Sequence, residues 1–170
     1  MSAAMTYVDS NTDPWQAVDD DSPAAPASHA LLTLTQWQSA RAGWPAAQPV
    51  GVLLPNDADV ETLADDLPRL ALVALHFPKW VDGRAYSQAR LLRVRYRFAG
   101  EIRATGEVLA DMLPLLQRTG FDAVLLRADQ SVATASRALG FFADGHYQGD
   151  VTEPQPRFAR ADASLAPEAA

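Results

Sequence analysis

Five apolar runs alternate with helical patterns through the middle of the chain, and this alternation constrains the fold more than any other feature. The runs are Leu31–Leu34, Val50–Leu54, Leu70–Phe77, Glu101–Thr105 and Ala123–Arg127. The second, third and fifth are nearly continuous in apolar residues, as strands covered on both faces are. Thr35 is placed to cap a short helix through Arg41. Asp57 or Asp59 is placed to cap a helix from Val60 to Arg69, with acids near its positive end. Tyr86 to Phe98 reads as a helix ended by Gly100, and Glu107 to Thr119 as another followed by Gly120. Ser131 to Asp144 is the last, stopped by Gly145. Pro114 falls inside the fourth pattern and should kink that helix or move its start to a later residue. Repeated β-α order with short loops is met most economically by parallel strands and right-handed crossover helices. The expected fold is therefore α/β: a mostly parallel open sheet of four to five strands in three layers. A half-barrel of β-α units is the alternative.

A chain of 170 residues suggests one compact domain. Residues 1–28 hold Asp19, Asp20 and Asp21 and a run of Ser, Pro and Ala, without periodicity, and read as a disordered acidic tail. Residues 149–170 contain Pro154, Pro156, Pro167 and many alanines and read the same way. The single α/β domain is then residues 29–148. About two-thirds of the surface of a unit this size is buried on folding.

The chemistry open to the chain is bounded by what it lacks. It has no cysteine, which excludes disulfides, a catalytic thiol, iron–sulfur clusters and cysteine-ligated zinc on this chain. No Gly-x-Gly-x-x-Gly fingerprint or phosphate loop is written in it. A standard NAD site is not indicated, and flavin binding without a signature stays open, so the cofactor is unknown. No signal pattern or membrane-length apolar run is present, so a cytoplasmic protein without a membrane partner is expected. The formal net charge of −7 argues against general nucleic-acid binding.

Within this acidic chain lies a basic island. Of 14 Lys and Arg residues, Lys79, Arg84, Arg90, Arg93, Arg95, Arg97 and Arg103 fall between Phe77 and Arg103. Only Asp82 and Glu101 oppose them there. Like charges crowded on one segment repel, so such an island usually faces an anion or an acidic surface. The turn Lys79-Trp80-Val81-Asp82-Gly83-Arg84 follows the third strand and leads into a helix, where parallel sheets collect ligands. Gly83 could supply a positive φ there. Lys79, Arg84 and Ser87 could then converge on one anion, with Asp82 and Tyr86 beside them. Arg90, Arg93 and Arg97 are spaced to share one helix face. The plainer reading pairs Asp82 with Arg84, packs Tyr86 on the sheet and leaves the arginines as a solvated face.

Other candidates are weaker. His29 lies in the N-terminal entry, His76 ends an apolar strand and His146 follows the last helix. His76, Asp82 and Ser87 allow a hydrolase triad to be imagined, but no nucleophile elbow accompanies it. Glu107 and Asp111 share a helix face, where acids also simply suit a first turn. Asp57, Asp59, Glu61, Asp65 and Asp66 make an acidic segment with no metal-ligand spacing.

Several blocks carry a family resemblance: Leu54-Pro55-Asn56-Asp57, Phe77-Pro78-Lys79, Asp82 through Arg93, Gly100-Glu101-Ile102-Arg103-Ala104 and Gly120-Phe121-Asp122-Ala123. In order and over residues 30–148, they resemble an uncharacterised bacterial family encoded beside assimilatory sulfite reductase and labelled an oxidoreductase of sulfite reduction. Trp80, Thr119 and Pro114 depart from that family, where Phe, Cys and an uninterrupted helix are expected. The resemblance implies a place in sulfur assimilation, as an accessory protein or as an oxidoreductase with a bound organic cofactor. It implies sulfite reductase or another sulfate-assimilation enzyme as partner. The residues add a surface for an oxyanion or that partner: Lys79, Asp82, Arg84, Tyr86, Ser87, Arg90, Arg93 and Arg97. The alternative is a non-catalytic α/β ligand-binding or regulatory domain outside sulfur metabolism.

Overall fold

The computed structural model describes residues 5–19, 22–141 and 148–156. Its strands are β1 (Thr6–Tyr7), β2 (Gln16–Ala17), β3 (Ala30–Thr33), β4 (Val50–Leu54), β5 (Leu70–Phe77), β6 (Glu101–Gly106) and β7 (Ala123–Val124). Its α-helices are α1 (Leu34–Ala40), α2 (Arg84–Arg90), α3 (Leu113–Thr119) and α4 (Val132–Gly140). The strands form one sheet in the order β1-β7-β6-β5-β4-β3-β2, and every neighbouring pair is parallel.

From β2 to β7 each strand lies beside the next one in the chain. Right-handed crossovers that always step the same way place their helices on one face of the sheet. The sheet curls into a half-barrel, so the α/β parallel class holds in its half-barrel form rather than as three layers. Seven strands stand where four to five are expected, because the N-terminal segment adds β1 and β2. Two residues of strand are too few to show a period in sequence.

The convex face carries the main core. Val52, Leu54, Val73, Leu75, Phe77, Ile102, Ala104 and Val124 pack there against Trp37, Leu63, Leu92, Leu113 and Leu116. Burying each large side chain of this kind stabilises the fold by roughly 1.5–3 kcal/mol. Successive strand residues face opposite sides. Gly51, Leu72, Ala74, Glu101 and Arg103 therefore line the concave face, in register across β4, β5 and β6.

That face is covered by the segment between β1 and β2, contrary to the expectation of a loose tail at 1–28. Trp15 packs so closely that a Cβ on Gly51 would lie 3.1 Å from its ring. The same ring meets His29 edge-on at 5.1 Å between centroids. At the other terminus, the Val151 N–H donates to the Arg118 carbonyl at 3.1 Å and Asp150 pairs with Arg118 at 3.4 Å. This part of the expected C-terminal tail is thus docked on α3. The end of the last helix pattern, with Gly145 and His146, and residues 157–170 lie outside the described residues.

The expected helix from Val60 to Arg69 is broken into 3-10 turns at Val60–Leu63 and Leu67–Arg69. Asp59 caps the first, accepting from the Glu61 N–H at 2.9 Å. Pro68 stops an α-helix from running through, since it has no N–H to return to the preceding turn. Pro114 acts as expected by moving a helix start: α3 begins at Leu113, with the proline in its first turn.

Candidate functional site

β5 ends at Phe77, and the next residues turn out of the sheet at its carboxyl edge. The Asp82 N–H donates to the Lys79 carbonyl at 3.0 Å, closing a turn. Gly83 has φ −84°, so it needs no left-handed freedom. Asp82 accepts the Arg84 Nε–H at 3.0 Å and an Nη2–H at 2.7 Å. It also accepts the Arg84 backbone N–H at 3.3 Å and so starts α2. This fork holds the Asp82 carboxyl well below the usual carboxylate range. It also removes Arg84 from the anion site expected at the turn.

Tyr86 turns inward, packing edge-on against Phe77 at 5.2 Å and Phe121 at 6.4 Å between centroids. Burial, with Asp111 nearby, pushes its phenol up to about 12. Ser87 and Arg90 stay exposed on α2. Gln88 is buried and donates through Nε2 to the carbonyls of Pro55 at 2.8 Å and Ala58 at 2.9 Å. It staples the loop after β4 to the helix after β5. In the same corner Asn56 is buried beside Asp82 and helps hold that carboxyl ionised. Neither the Asn56 Nδ2 nor the Gln88 Oε1 closes an ordinary hydrogen bond among the described residues. The sequence carried a signal for this corner, since both residues sit in the blocks of the family resemblance, but not for their contact.

The arginine face does not form as expected. After Arg90 the helix widens into a π turn, Leu91–Arg95, with the Tyr96 N–H bonding to the Leu91 carbonyl at 3.1 Å. The extra residue per turn rotates the later side chains about the helix axis. Arg93 swings into the fold, donating to the carbonyls of Gly120 at 3.0 Å, Gly100 at 2.9 Å and Phe98, and pairing with Asp122. Its stem fills the space beside Gly120, where a Cβ would lie 2.6 Å from Arg93 Cγ. Arg93 is therefore a structural residue. Arg97 lies before β6, near Leu70 at the amino end of β5. β5 spans Leu70–Phe77, roughly 23 Å at ~3.3 Å per residue, so Lys79 and Arg97 belong to opposite edges of the sheet.

What remains at the carboxyl edge is an apolar tip, Trp80 and Val81, beside Lys79. Among the described residues, no hydrogen bond or ion pair engages the charged groups of Lys79, Arg90 or Arg97. Trp80 is 54% exposed and Val81 65%. Farther along the same segment Leu91 and Val94 are exposed as well. These bare apolar side chains carry no sequence signal of their own, because an exposed apolar residue in a short segment reads like a buried one.

The imagined triad does not assemble. Phe77 faces α2, so His76, one residue earlier in the strand, faces the concave side, where it lies against Gly106. Asp82 is committed to Arg84. Glu107 and Asp111 do not share a helix face, because the helical turn starts only at Ala110; Glu107 pairs with Arg127 at 2.7 Å, and Asp129 takes the other side of that guanidinium at 2.6 Å. The acids before β5 are used singly: Asp66 holds Arg41 at 2.8 Å and Glu61 faces Arg95 at 3.5 Å. Among the described residues no group of three or more metal-ligating side chains gathers. No helix described is long and apolar enough to cross a membrane.

A sequence model described as a bacterial protein of unknown function (DUF934) matches residues 51–158. The chain belongs to the DUF934 family. No curated protein matches it. The DUF934 match begins in β4 and takes in the turn, α2, the π turn and the stapled corner. The N-terminal segment that covers the concave face lies outside it.

Proposed function

We propose that this chain is an accessory protein of assimilatory sulfite reduction that docks on an acidic surface of sulfite reductase or a neighbouring enzyme. The pathway follows from the family resemblance of the sequence blocks. The docking role is carried by one observation: Lys79, unpaired among the described residues, adjoins exposed Trp80 and Val81 on a protein of net charge −7, with unpaired Arg90 farther along the exposed side of the helix that follows. An exposed apolar centre with a cationic surround is the composition of a protein contact. A bare oxyanion fits less well, because the Arg84 fork is closed on Asp82 and leaves the turn, among the described residues, with Lys79 as its free cation.

The test is direct binding of the full chain to purified sulfite reductase, at low and high salt. Salt-sensitive binding lost on charge reversal at Lys79 and Arg90 supports the reading. No binding at low salt to any enzyme of sulfite reduction overturns it.

A further inference from the structure

A second feature lies at the opposite, amino edge of the sheet and does not depend on the docking surface. A cleft of about 280 Å³ opens there, walled by Leu67, Pro68, Leu70, Tyr96, Arg97 and Phe98. Its volume is near the lower end of the ~300–1,000 Å³ range usual for small-molecule sites, which suits a small ligand of one ring or less.

Arg97 has φ 52°, in the left-handed region. It follows Tyr96 as the residue that ends the helical segment, and the Phe98 N–H returns to the Leu92 carbonyl at 2.9 Å. Glycine is preferred at such a position, because a Cβ is strained there. Helix termination alone would therefore select glycine, and arginine costs stability. Strain kept at a cavity is a pointer to function.

The neighbouring arginines are occupied. Arg93 is spent on Asp122 and backbone carbonyls, and Arg95 faces Glu61 and the Tyr96 ring at 5.3 Å. Arg97 is the cleft's lining cation, and its guanidinium has no partner among the described residues. The Phe98 and Gly100 carbonyls already accept from Arg93, which leaves the Arg97 guanidinium as the charged group offered to a guest. The rest of the wall is aliphatic or aromatic.

We propose that this cleft binds a small apolar anion, a carboxylate or sulfonate on an aryl or short alkyl body. The anionic head pairs with the Arg97 guanidinium and the body lies on Leu67, Pro68, Leu70 and Phe98. A hydrated inorganic oxyanion gains nothing from these apolar walls and is disfavoured. A neutral aromatic lacks the charge-assisted hydrogen bonds of the arginine.

The experiment titrates the full isotope-labelled chain with benzoate, benzyl alcohol and sulfite, reading amide shifts and affinity by NMR. Benzoate should perturb Tyr96, Arg97 and Phe98, and benzyl alcohol should bind at least tenfold more weakly. Sulfite should leave these residues unmoved. Arg97→Gly should keep or raise the melting temperature, because it relieves the strained backbone, and should lose tenfold or more in benzoate affinity. Arg90→Glu should bind benzoate as wild type does. Equal affinity of Arg97→Gly for benzoate, shifts centred elsewhere, no benzoate shifts, or sulfite binding at the cleft would each overturn the proposal. If Arg97→Gly fails to fold, Arg97→Asn, which tolerates the left-handed backbone, carries the same comparison.

Discussion

Asp13 and Arg103 are 90 residues apart in the chain and form an ion pair on the concave face of the half-barrel. Arg103 comes from β6 near the centre of the sheet. Asp13 comes from the segment that leaves β1 at one edge and reaches β2 at the other. Glu101 completes the cluster, accepting the Arg103 Nε–H at 2.7 Å. The N-terminal segment thus covers the face that a closed barrel would fill with further strands.

Loss of that cover should destabilise the fold. The Arg103 side chain is 6% exposed and the Asp13 side chain 14%. Removing one partner of a buried pair leaves a charge without compensation, typically at a cost of roughly 3–5 kcal/mol. Glu101 stays behind as a second partner, so Asp13→Ala should cost about 3 kcal/mol in urea unfolding, the low end of that range. Deleting residues 1–19 should cost more, because it also bares the apolar row under Trp15. A truncated chain as stable as the full one would show that the covering segment is dispensable.

Arg93 and Arg90 should separate cleanly. Arg93→Leu strips donors from the Phe98, Gly100 and Gly120 carbonyls and leaves Asp122 with the Ile102 N–H as its remaining partner among the described residues, which predicts a loss of about 3 kcal/mol. Arg90→Leu touches no partner and should change stability by less than about 0.5 kcal/mol. Equal melting temperatures for the two variants would return Arg93 to the solvated face that its spacing suggests.

That spacing explains where sequence reading succeeds and fails. Val50–Leu54 and Leu70–Phe77 announce buried parallel strands because nearly every residue is covered, and they appear with the expected bounds. The periodicity of Arg90, Arg93 and Arg97 assumes an unbroken α-helix, and the π turn at Leu91–Arg95 breaks the assumption. Nothing local marks a π turn, because its stability comes from where Leu92 and Arg93 find tertiary partners. β1 and β2 were illegible for a related reason. Their strand character resides in pairing with Ala123–Val124 and Ala30–Leu31, not in their own residues.

The titration of the loop pairs gives a signed prediction. Asp129 beside Arg127 has its carboxyl lowered from 3.8 to about 2. Its stabilising contribution is therefore complete above about pH 4 and fades as pH falls toward about 2, because the unfolded chain binds the proton first. The melting-temperature gap between wild type and Asp129→Asn should be present near neutral pH and close at strongly acidic pH. Asp129 is exposed and Arg127 half-buried at the surface, so the gap should be small. Tyr86 behaves in the opposite sense. Its phenol is raised from 10.0 to about 12, so stability should fall as pH rises above 10.0, and Tyr86→Phe should remove that slope. A pH-independent gap for Asp129→Asn, or an alkaline slope retained by Tyr86→Phe, would assign those effects to other groups.

The proposed docking surface is testable through its kinetics. Lys79 and Arg90 are exposed and unpaired among the described residues, so reversing both should leave thermal unfolding nearly unchanged. Charges at the rim of a contact act mainly on association rate and its salt dependence. Lys79→Glu with Arg90→Glu should therefore slow association with sulfite reductase about tenfold or more at low salt, and the difference should shrink as salt screens the charges. Trp80→Ala should act differently. Its 54% exposed ring contributes apolar area rather than field, so its loss should speed dissociation at every salt concentration. Surface-resonance kinetics on wild type and both variants distinguish these outcomes. If Trp80→Ala dissociates like wild type while the charge reversal abolishes binding, the contact is electrostatic alone, and the apolar tip at Trp80 and Val81 has no part in it.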